Sequence, residues 1–326
     1  MDFKAQLNQW GVQKKPFVFI IDFEQKKPLA WLADECPDSF QFKFSPSGFS
    51  SLLGPYTATE KNKTEKNQPE KLLKYPISLA EYTIKYNQVL AALQRGDSFL
   101  INLTIPTPVD HQIDFQTYFN QAQSKYVVWL KDAFIAFSPE TFVQIKAGKI
   151  STYPMKGTID ASLPNAKETI LNDPKEYAEH ATIVDLLRND LSRVATNVQV
   201  TDFRYYEAIQ TQEGKIGQVS SAIEGILPSD YASNIGSIIF DLLPAGSVSG
   251  APKKKTAALI AEIEGKDRGY YTGIAGYFDG VNLDSCVLIR YLGADNNYQS
   301  GGGITYQSEV NAEYQEMINK VYVPIF

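Results

Sequence analysis

The chain has 326 residues, of which 44% are hydrophobic and 21% charged, and its formal net charge is −6. This balance argues against nucleic-acid binding, which needs a basic patch to displace counterions from phosphates; the one dense basic run, at 253–255, is typical of a solvated helix start. No apolar run reaches the roughly 18 residues that span a bilayer, and the N-terminal region lacks a signal-peptide core. Two cysteines without a CxxC pair suit a reducing compartment. We therefore expect a cytoplasmic protein with no membrane or nucleic-acid partner.

The first third of the chain predicts short strands and one well-marked helix. Residues 16–23 (PFVFIIDF) are rich in Phe, Val and Ile, which favours a strand. The polar, low-complexity stretch 57–72 predicts a mobile surface loop. Ser78 with Glu81 three residues later forms a capping-box pattern, which predicts a helix that ends before a strand at 98–104.

The remainder alternates strands and helices in mixed runs. Closely spaced strands are predicted at 126–129, 133–137, 142–145 and 150–153. Their short connections require antiparallel pairing, because parallel pairing needs a long crossover. Later elements are a helix from Pro174 through Leu187, strands at 198–201, 217–223, 273–278 and 286–292, a helix near 251–252, a turn at 301–304 and a helix from about Val310. This order favours an α+β fold over a doubly wound sheet.

Two pairs of glutamates have helical spacing. Glu176 and Glu179 follow Pro174, and Glu313 and Glu316 lie in the C-terminal helix. A spacing of three residues puts both carboxylates of a pair on one helical face. Two such faces brought together would make an oxygen-only site for a hard cation such as Mg²⁺, whereas two histidines in the whole chain disfavour a zinc site. The alternative is two ordinary solvated pairs.

Three further features are candidates for chemistry. Lys156 follows a predicted strand, and the next two residues suggest a tight turn; a desolvated lysine there is a possible nucleophile, although a surface lysine beside a turn has the same pattern. The triple glycine at 301–303 either offers backbone N–H groups to an anion or simply makes a turn. Arg290, inside an apolar run, needs an acidic partner, which is a protein carboxylate or the carboxylate of a ligand.

These pieces occur together, and in the same order, in the chorismate-utilising enzymes, which include the anthranilate, aminodeoxychorismate, isochorismate and salicylate synthases. Over residues 78–326 the chain resembles this family in seven motifs: SPE at 138–140, PMKGT at 154–158, EYAEH running into IVDLLRND at 176–190, PAGSVSGAPK at 244–253, RGYYTG at 268–273, Arg290, and GGGI at 301–304 followed by AEYQE at 312–316.

The resemblance implies the fold of anthranilate synthase component I, which has two stacked antiparallel β-sheets flanked by helices and an active site in the cleft between the halves. A single chorismate-binding catalytic domain would then cover residues 1–326, with 1–75 as a short, divergent N-terminal part of the same fold. Lys156 resembles a nucleophile, and Glu140 resembles the general acid that protonates the leaving C4 hydroxyl. A general acid of this kind needs a carboxyl whose pKa is raised by burial.

The resemblance also implies a binding site for chorismate and Mg²⁺. The carboxylates of Glu179 and Glu316 correspond to direct Mg²⁺ ligands, and those of Glu176 and Glu313 to residues that act through water. The implied substrate-binding residues are Thr158, Ser249, Tyr271, Arg290, Gly301, Gly302 and Lys320.

Two positions indicate a reaction within the family. In the anthranilate, isochorismate and salicylate synthases the corresponding motif resembles PIAGT or PLAGT, with alanine at the position of Lys156. Lysine at this position is typical of aminodeoxychorismate synthases. There it resembles a nucleophile that adds to C2 of chorismate before ammonia attacks C4. Leu100 stands where water-adding members have a lysine base. The resemblance thus implies amination at C4 for p-aminobenzoate and folate synthesis. The ammonia would come from a separate glutamine amidotransferase subunit, because neither cysteine lies in a nucleophile turn.

Some features depart from the family or leave alternatives. Gln218 stands where many relatives have a histidine, three residues before Ser221, and no tryptophan-binding motif is found, so feedback control by tryptophan is not predicted. The nearest alternative is anthranilate synthase component I, which Lys156 disfavours. A pyridoxal-phosphate enzyme with Lys156 as Schiff base would need a phosphate cup. A non-catalytic chorismate-binding regulator would have no reason to keep both Lys156 and Glu140.

Overall fold

The computed structural model describes residues 2–51, 72–211 and 214–325. The predicted loop at 57–72 therefore lies outside the described residues except for its last position. The α-helices of the described residues are α1 (Phe3–Val12), α2 (Leu79–Gln94), α3 (Phe115–Gln121), α4 (Ala166–Asn172), α5 (Pro174–Leu191), α6 (Ile235–Leu242), α7 (Lys253–Glu264) and α8 (Val310–Asn319). Within the described ranges no helix has both the length and the apolar character needed to cross a membrane.

The strands of the described residues are β1 (Phe17–Ile21), β2 (Leu29–Leu32), β3 (Phe40–Phe44), β4 (Phe49–Ser50), β5 (Leu73–Lys74), β6 (Leu100–Asp110), β7 (Tyr126–Leu130), β8 (Phe134–Ser138), β9 (Thr141–Lys146), β10 (Lys149–Thr152), β11 (Met155–Asp160), β12 (Thr196–Thr211), β13 (Gly214–Ile226), β14 (Gly250–Ala251), β15 (Ile274–Phe278), β16 (Leu283–Val287), β17 (Tyr291–Gly293) and β18 (Asn297–Ile304).

These strands form two nine-stranded sheets. The first has the order β11-β13-β10-β9-β16-β15-β1-β2, with β12 also paired to β13; the second has the order β14-β6-β18-β17-β8-β7-β3-β4, with β5 also paired to β6. Val18 and Ile20 of the first sheet pack against Phe42 and Val128 of the second in one buried cluster, so the two sheets are stacked. Neighbouring strands pair antiparallel, as between β1 and β15 and between β6 and β18. The predicted α+β fold with two stacked antiparallel sheets is confirmed.

Local sequence signals explain where two of the helices begin. The Asp173 side chain accepts hydrogen bonds from the backbone N–H groups of Lys175 and Glu176 at 2.8 and 3.0 Å, and Pro174 occupies the first turn, where its missing N–H costs nothing. Helix α2 begins with the predicted capping box between Ser78 and Glu81. Helix α5 thus starts at a fixed residue, which determines where its glutamates point.

Three local predictions were wrong, and each concerns the candidate site. The triple glycine lies within strand β18, paired to β6, and forms no turn. Lys156 and its neighbours also belong to a strand, β11, whose pairing with β13 shifts between Met155 and Thr158. The apolar run at 286–292 is two strands in different sheets, β16 and β17, and Arg290 lies at the crossing with a φ of 53°. Strand pairing is decided by distant residues, which local patterns do not report.

Candidate active site

Lys156 and Glu179 form an ion pair between β11 and α5. The Lys156 Nζ lies 2.8 Å from Glu179 Oε2, and the two side chains are 24% and 8% exposed. A second lysine, Lys175, lies at the edge of the same carboxylate, with 4.0 Å between its Nζ and Glu179 Oε1, and is 44% exposed. Glu179 is therefore a buried carboxylate whose nearest cation is the ammonium of Lys156.

The charge state of Lys156 follows from its surroundings. Burial lowers its pKa, but the nearby carboxylates of Glu179, Glu316 and Glu313 together outweigh burial, so that the net pKa is above the ordinary lysine value. The amine is consequently protonated at neutral pH in this arrangement.

Helix α8 brings the second glutamate pair to the same place. Glu316 Oε1 lies 2.5 Å from the Nζ of Lys320, which also donates to the carbonyl of Gly301 at 2.8 Å. Glu313 accepts a hydrogen bond from the Ser308 hydroxyl at 2.7 Å. Burial raises the pKa of Glu316, but the charge of Lys320 and then that of Lys156 lower it below the ordinary value. The charge of Lys156 thus acts on both carboxylates of α8.

Two glycines make room for these carboxylates. A Cβ atom on Gly302 of β18 would lie 3.0 Å from Glu313 Oε2, and a Cβ atom on Gly157 would lie 2.7 Å from Glu176 Oε2. Gly157 also has a φ of 91°, which disfavours any other residue. The glycines of the PMKGT and GGGI motifs therefore let the backbone pass close to the acidic side chains.

Glu176 completes the acidic cluster. Its Oε2 is buried without a hydrogen-bond partner among the described residues, and burial raises its pKa. The charge of Lys156 acts on it, as it does on Glu313 and Glu316. The two helical faces that the glutamate spacing predicted are thus brought together around one ammonium group.

The acidic cluster has the donor chemistry of the expected Mg²⁺ site. An oxygen-only donor set with one unpartnered buried oxygen, on Glu176, suits a hard divalent cation. In the part of the chain that the structure describes, however, no three acidic, histidine or cysteine side chains are already arranged to hold a metal ion. The ammonium groups of Lys156 and Lys320 pair with Glu179 and Glu316 instead. The donor chemistry fits Mg²⁺, and binding would require Lys156 to leave Glu179.

Glu140 lies just after β8 and is bonded to a serine that sequence analysis missed. Its Oε1 accepts a short hydrogen bond from the Ser247 hydroxyl, and its backbone N–H donates to Ser138 Oγ at 3.1 Å. Burial raises the pKa of Glu140 by more than the Ser247 hydrogen bond and the charges of Arg290 and Lys320 lower it. A carboxyl with a raised pKa keeps its proton, as a general acid must.

Ser249, the serine predicted to line the pocket, has a different environment. It is fully buried, and its hydroxyl donates to the carbonyl of Ala245 at 2.8 Å. Ser247, two residues earlier in the same motif, contacts Glu140 instead. The motif PAGSVSGAPK predicted that this segment belongs to the site, but the sequence does not indicate which of its two serines contacts Glu140.

The predicted carboxylate-binding residues lie near Glu140. Among the described residues Arg290 has no salt bridge, its Nε has no hydrogen-bond partner, and its guanidinium lies 5.4 Å from the Tyr322 ring centroid. Tyr271 is buried beside Tyr291, and its pKa, raised by burial, responds to both Arg290 and Glu140. Of the two alternatives for Arg290, the absence of a salt bridge to any carboxylate of the described residues favours a ligand carboxylate.

The last predicted position, Thr158, lies on the same strand as Lys156. Thr158 is exposed on β11, opposite Gln218 of β13. The Gln218 amide donates to Met155 Sδ at 2.8 Å, next to Lys156. The Nε2 atom of His180, beside Glu179 in sequence, lies 2.7 Å from Ser221 Oγ, and burial lowers the His180 pKa to about 4.

One lysine outside the predicted site is largely buried, although a solvated position was predicted. Lys253, expected in a solvated helix start, forms a largely buried ion pair with Asp190 of α5, with 2.7 Å between Nζ and Oδ2, and donates to the carbonyl of Leu242. Its charge is compensated by an acid 63 residues earlier in the chain, which the local sequence of the basic run does not reveal.

Comparisons with known proteins identify the family of this chain. The chorismate binding enzyme family matches residues 13–325. An uncharacterized PabA-like protein of Pasteurella multocida is 46% identical over 99% of this chain and 98% of its own length. Aminodeoxychorismate synthase component 1 of Klebsiella aerogenes is 33% identical over 75% of this chain and 57% of its own length.

A solved structure supports the fold. The crystal structure of anthranilate synthase component I from Streptococcus pneumoniae superposes with a TM-score of 0.64 at 29% identity, over 78% of this chain and 59% of that one. The described residues therefore have an anthranilate synthase component I-like fold, as predicted. With the family match covering nearly the whole sequence, this chain belongs to the chorismate binding enzyme family.

Proposed function

We propose that this enzyme aminates chorismate at C4, producing 4-amino-4-deoxychorismate for p-aminobenzoate and folate synthesis. The observation that carries the proposal is the side chain of Lys156, whose Nζ lies 2.8 Å from the buried carboxylate of Glu179, within the acidic cluster. A lysine at this position supplies a nitrogen nucleophile to a bound substrate once it is deprotonated. The alternative family reaction, formation of anthranilate, has no evident use for it.

The proposed chemistry is an allylic displacement in two steps. The neutral amine of Lys156 adds to C2 of chorismate, both ring double bonds shift from C1=C2 and C5=C6 to C1=C6 and C4=C5, and the C4 hydroxyl leaves as water with a proton from Glu140. Ammonia then attacks C4, both double bonds shift back, and the C2–nitrogen bond breaks to release Lys156 as a neutral amine. The new ammonium group at C4 can return a proton to Glu140. The raised pKa of Glu140 supports its role as the proton donor.

Other side chains would bind and orient the substrate. Arg290, which forms no salt bridge among the described residues, is suited to the pyruvyl carboxylate. Tyr271 and the backbone of Gly301 and Gly302 would bind the same carboxylate. Lys320, held between Glu316 and Gly301, is suited to a substrate carboxylate near the acidic cluster. These cations are arranged for a dianionic substrate.

The acidic cluster is the proposed Mg²⁺ site. Glu179 and Glu316 would bind the ion directly, and Glu176 and Glu313 would act through water. The bound ion would supply positive charge that neutralises the carboxylates and binds the ring carboxylate of chorismate. What the chain itself must do is release Lys156 from Glu179, because a protonated amine in an ion pair is not nucleophilic.

The proposed nitrogen source is ammonia from a separate glutamine amidotransferase subunit. Burial raises the pKa of the Cys36 thiol to about 11, and it raises that of the fully buried Cys286 as well. A glutamine-hydrolysing cysteine needs the opposite, a lowered pKa and an accessible thiolate. Both cysteines of the chain are thus unsuited to that role.

A covalent adduct tests the proposal. Enzyme is incubated with chorismate and Mg²⁺ but without ammonia, trapped, digested and mapped by peptide mass spectrometry, and the small-molecule product formed with ammonium is identified in parallel. We expect the modification on the peptide that contains Lys156, none in Lys156→Ala, and wild-type behaviour in Lys175→Ala, which removes the other lysine near Glu179.

Two outcomes would overturn the proposal. If no adduct forms and Lys156→Met keeps near-wild-type amination, ammonia attacks chorismate directly and Lys156 only binds. If the product is anthranilate and pyruvate, the reaction is that of anthranilate synthase component I.

A further inference from the structure

A buried arginine, Arg268, uses all of its donors to join separate segments of the chain. Its Nε and one terminal nitrogen donate to the two carboxylate oxygens of Glu264 in α7 at 2.9 and 2.6 Å. Both side chains are 2% exposed, and the guanidinium lies 4.7 Å from the Phe23 ring centroid. The bidentate pair is charge-compensated within itself and leaves three N–H groups for other partners.

The three remaining N–H groups reach backbone and side-chain oxygens of other segments. They donate to the carbonyl of Val248 at 2.8 Å, to the carbonyl of Asn102 at 2.7 Å, and to Thr272 Oγ1 at 3.3 Å. Glu264 in turn accepts from the backbone N–H and the hydroxyl of Thr104, both at 3.0 Å.

Each of these contacts adjoins a residue of the candidate site. Val248 lies between Ser247, which contacts Glu140, and Ser249. Thr272 follows Tyr271 and donates to its carbonyl at 2.6 Å. Asn102 and Thr104 of β6 pair with Gly303 and Gly301 of β18.

We infer that the Arg268–Glu264 ion pair positions three parts of the substrate site relative to one another. These are the turn at residues 246–248, Tyr271 and the glycines of strand β18. The guanidinium touches no reacting atom. It fixes three segments, namely strand β6, the turn at residues 246–248 and the residues just before β15, which meet only in the folded chain. The inference rests on the proposed binding of chorismate at this site.

The geometry explains why arginine is required. Lysine has three donors on one nitrogen and lacks the planar fork, so it cannot hold Glu264 bidentately and still reach Val248 and Asn102 on the other side. Small displacements of substrate-holding segments have large kinetic effects, on the order of a hundredfold for about 1 Å. Loss of the fork is therefore expected to weaken both binding and turnover.

The test separates positioning from stability with three variants. Arg268→Lys keeps the charge but loses the fork, and Thr272→Val removes only the hydroxyl beside Tyr271 while keeping the shape. Val128→Ala is a control: its side chain belongs to the buried cluster between the sheets, so its loss should destabilise the fold without touching this network. Affinity for chorismate is measured by calorimetric titration, and kcat, KM and the thermal midpoint are measured for each.

We expect Arg268→Lys to raise the chorismate Kd by about tenfold or more and to lower kcat as well. Thr272→Val should raise KM by about threefold to tenfold with kcat largely retained, because Ser247 and Glu140 remain in place. Val128→Ala should lower the thermal midpoint and leave KM unchanged. If Arg268→Lys fails to fold, the KM of Thr272→Val is compared with that of Val128→Ala, and this comparison tests the inference.

Either of two results overturns the inference: folded Arg268→Lys or Thr272→Val with wild-type Kd and KM, or Val128→Ala with the same rise in KM as the network variants. Failure of the proposed function is distinguished by the wild type, because a wild-type protein that does not bind chorismate contradicts that proposal before any variant is compared.

Discussion

The Lys156 ammonium lies 2.8 Å from the Glu179 carboxylate, where strand β11 meets helix α5. Each group is the other's nearest opposite charge, and both are largely buried. In this arrangement Glu179 is occupied by an ammonium group and Lys156 is protonated. In the proposed reaction Glu179 binds the metal and Lys156 acts as a neutral nucleophile, so this ion pair must break first.

The first prediction concerns the Mg²⁺ site. We expect Mg²⁺ to raise the thermal midpoint of the wild type, and Glu179→Gln and Glu316→Gln to lose this shift and turnover, because each removes a proposed direct ligand. Without Mg²⁺, Glu179→Gln should be the less stable variant, since it leaves the buried Lys156 without its counter-charge while Glu316 is 42% exposed.

The control for this prediction is Glu168→Gln, which alters an exposed acid of helix α4 and should keep both the shift and the activity. Differential scanning calorimetry with and without Mg²⁺ measures the shift. Full activity of extensively EDTA-treated wild type, or an unchanged Mg²⁺ shift in Glu179→Gln, would show that these carboxylates do not bind the ion.

The second prediction concerns the Glu140–Ser247 hydrogen bond. The Ser247 hydroxyl lowers the pKa of Glu140, against the larger effect of burial. Ser247→Ala should therefore raise that pKa further, so the alkaline limb of the kcat profile, on which the acid loses its proton, should move to higher pH. We also expect kcat at the optimum to fall by about tenfold or more, because the carboxyl is less well oriented.

Ser249→Ala is the matched control, two residues along the same motif. Its hydroxyl donates to Ala245, so we expect a small loss of stability and an unmoved pH profile. Glu140→Gln should be inactive at every pH. An alkaline limb that stays in place in Ser247→Ala would mean that another group supplies the proton.

The third prediction concerns nitrogen delivery. We expect highly purified enzyme to form no aminated product from chorismate with glutamine alone, and to form it with ammonium at alkaline pH, where free ammonia is abundant. Cys36→Ser should retain the ammonium-dependent rate, because that thiol has a raised pKa and no proposed role. Glutamine-supported turnover that is lost in Cys36→Ser would place a glutaminase site in this chain.

The fourth prediction concerns stability and pH at Lys43. Its Nζ donates to the carbonyls of Phe119 and Asn120 at the end of helix α3, and burial lowers its pKa from 10.5 to about 8. Between these values the unfolded chain binds more protons than the folded one. The contribution of Lys43 to the free energy of unfolding is therefore highest above pH 10.5, where Lys43 is neutral in both states. It decreases as the pH falls toward 8, with a slope of about 1 kcal/mol per pH unit.

Urea unfolding at several pH values between 8 and 9.5 measures this slope. Subtracting the Lys43→Met series from the wild-type series isolates the contribution of Lys43 from those of other titrating groups. Lys15→Met, at an exposed position, should keep the wild-type slope. Equal slopes in wild type and Lys43→Met would contradict the lowered pKa.

Local signals predicted the helices that carry the acidic cluster. The spacing of Glu176 and Glu179 behind Pro174, and of Glu313 and Glu316 after Val310, correctly placed both pairs on helices α5 and α8. Capping residues and three-residue spacing act within one or two turns, so the amino-acid order alone is enough to establish them. The motif order likewise established the family, which the match over residues 13–325 confirms.

Tertiary structure decided the positions that depend on distant residues. Gly301 lies in a strand because β6 pairs with it, and Arg290 lies where the chain crosses from one sheet to the other. The choice of Ser247 over Ser249 as the partner of Glu140 depends on a contact across 107 residues, and the pairing of Lys156 with Glu179 depends on how β11 packs against α5. The sequence by itself determined the family and the candidate residues for the chemistry. Only packing between distant segments decided which of these residues meet, because hydrogen-bonded register and buried ion pairs form between chain segments that no local pattern connects.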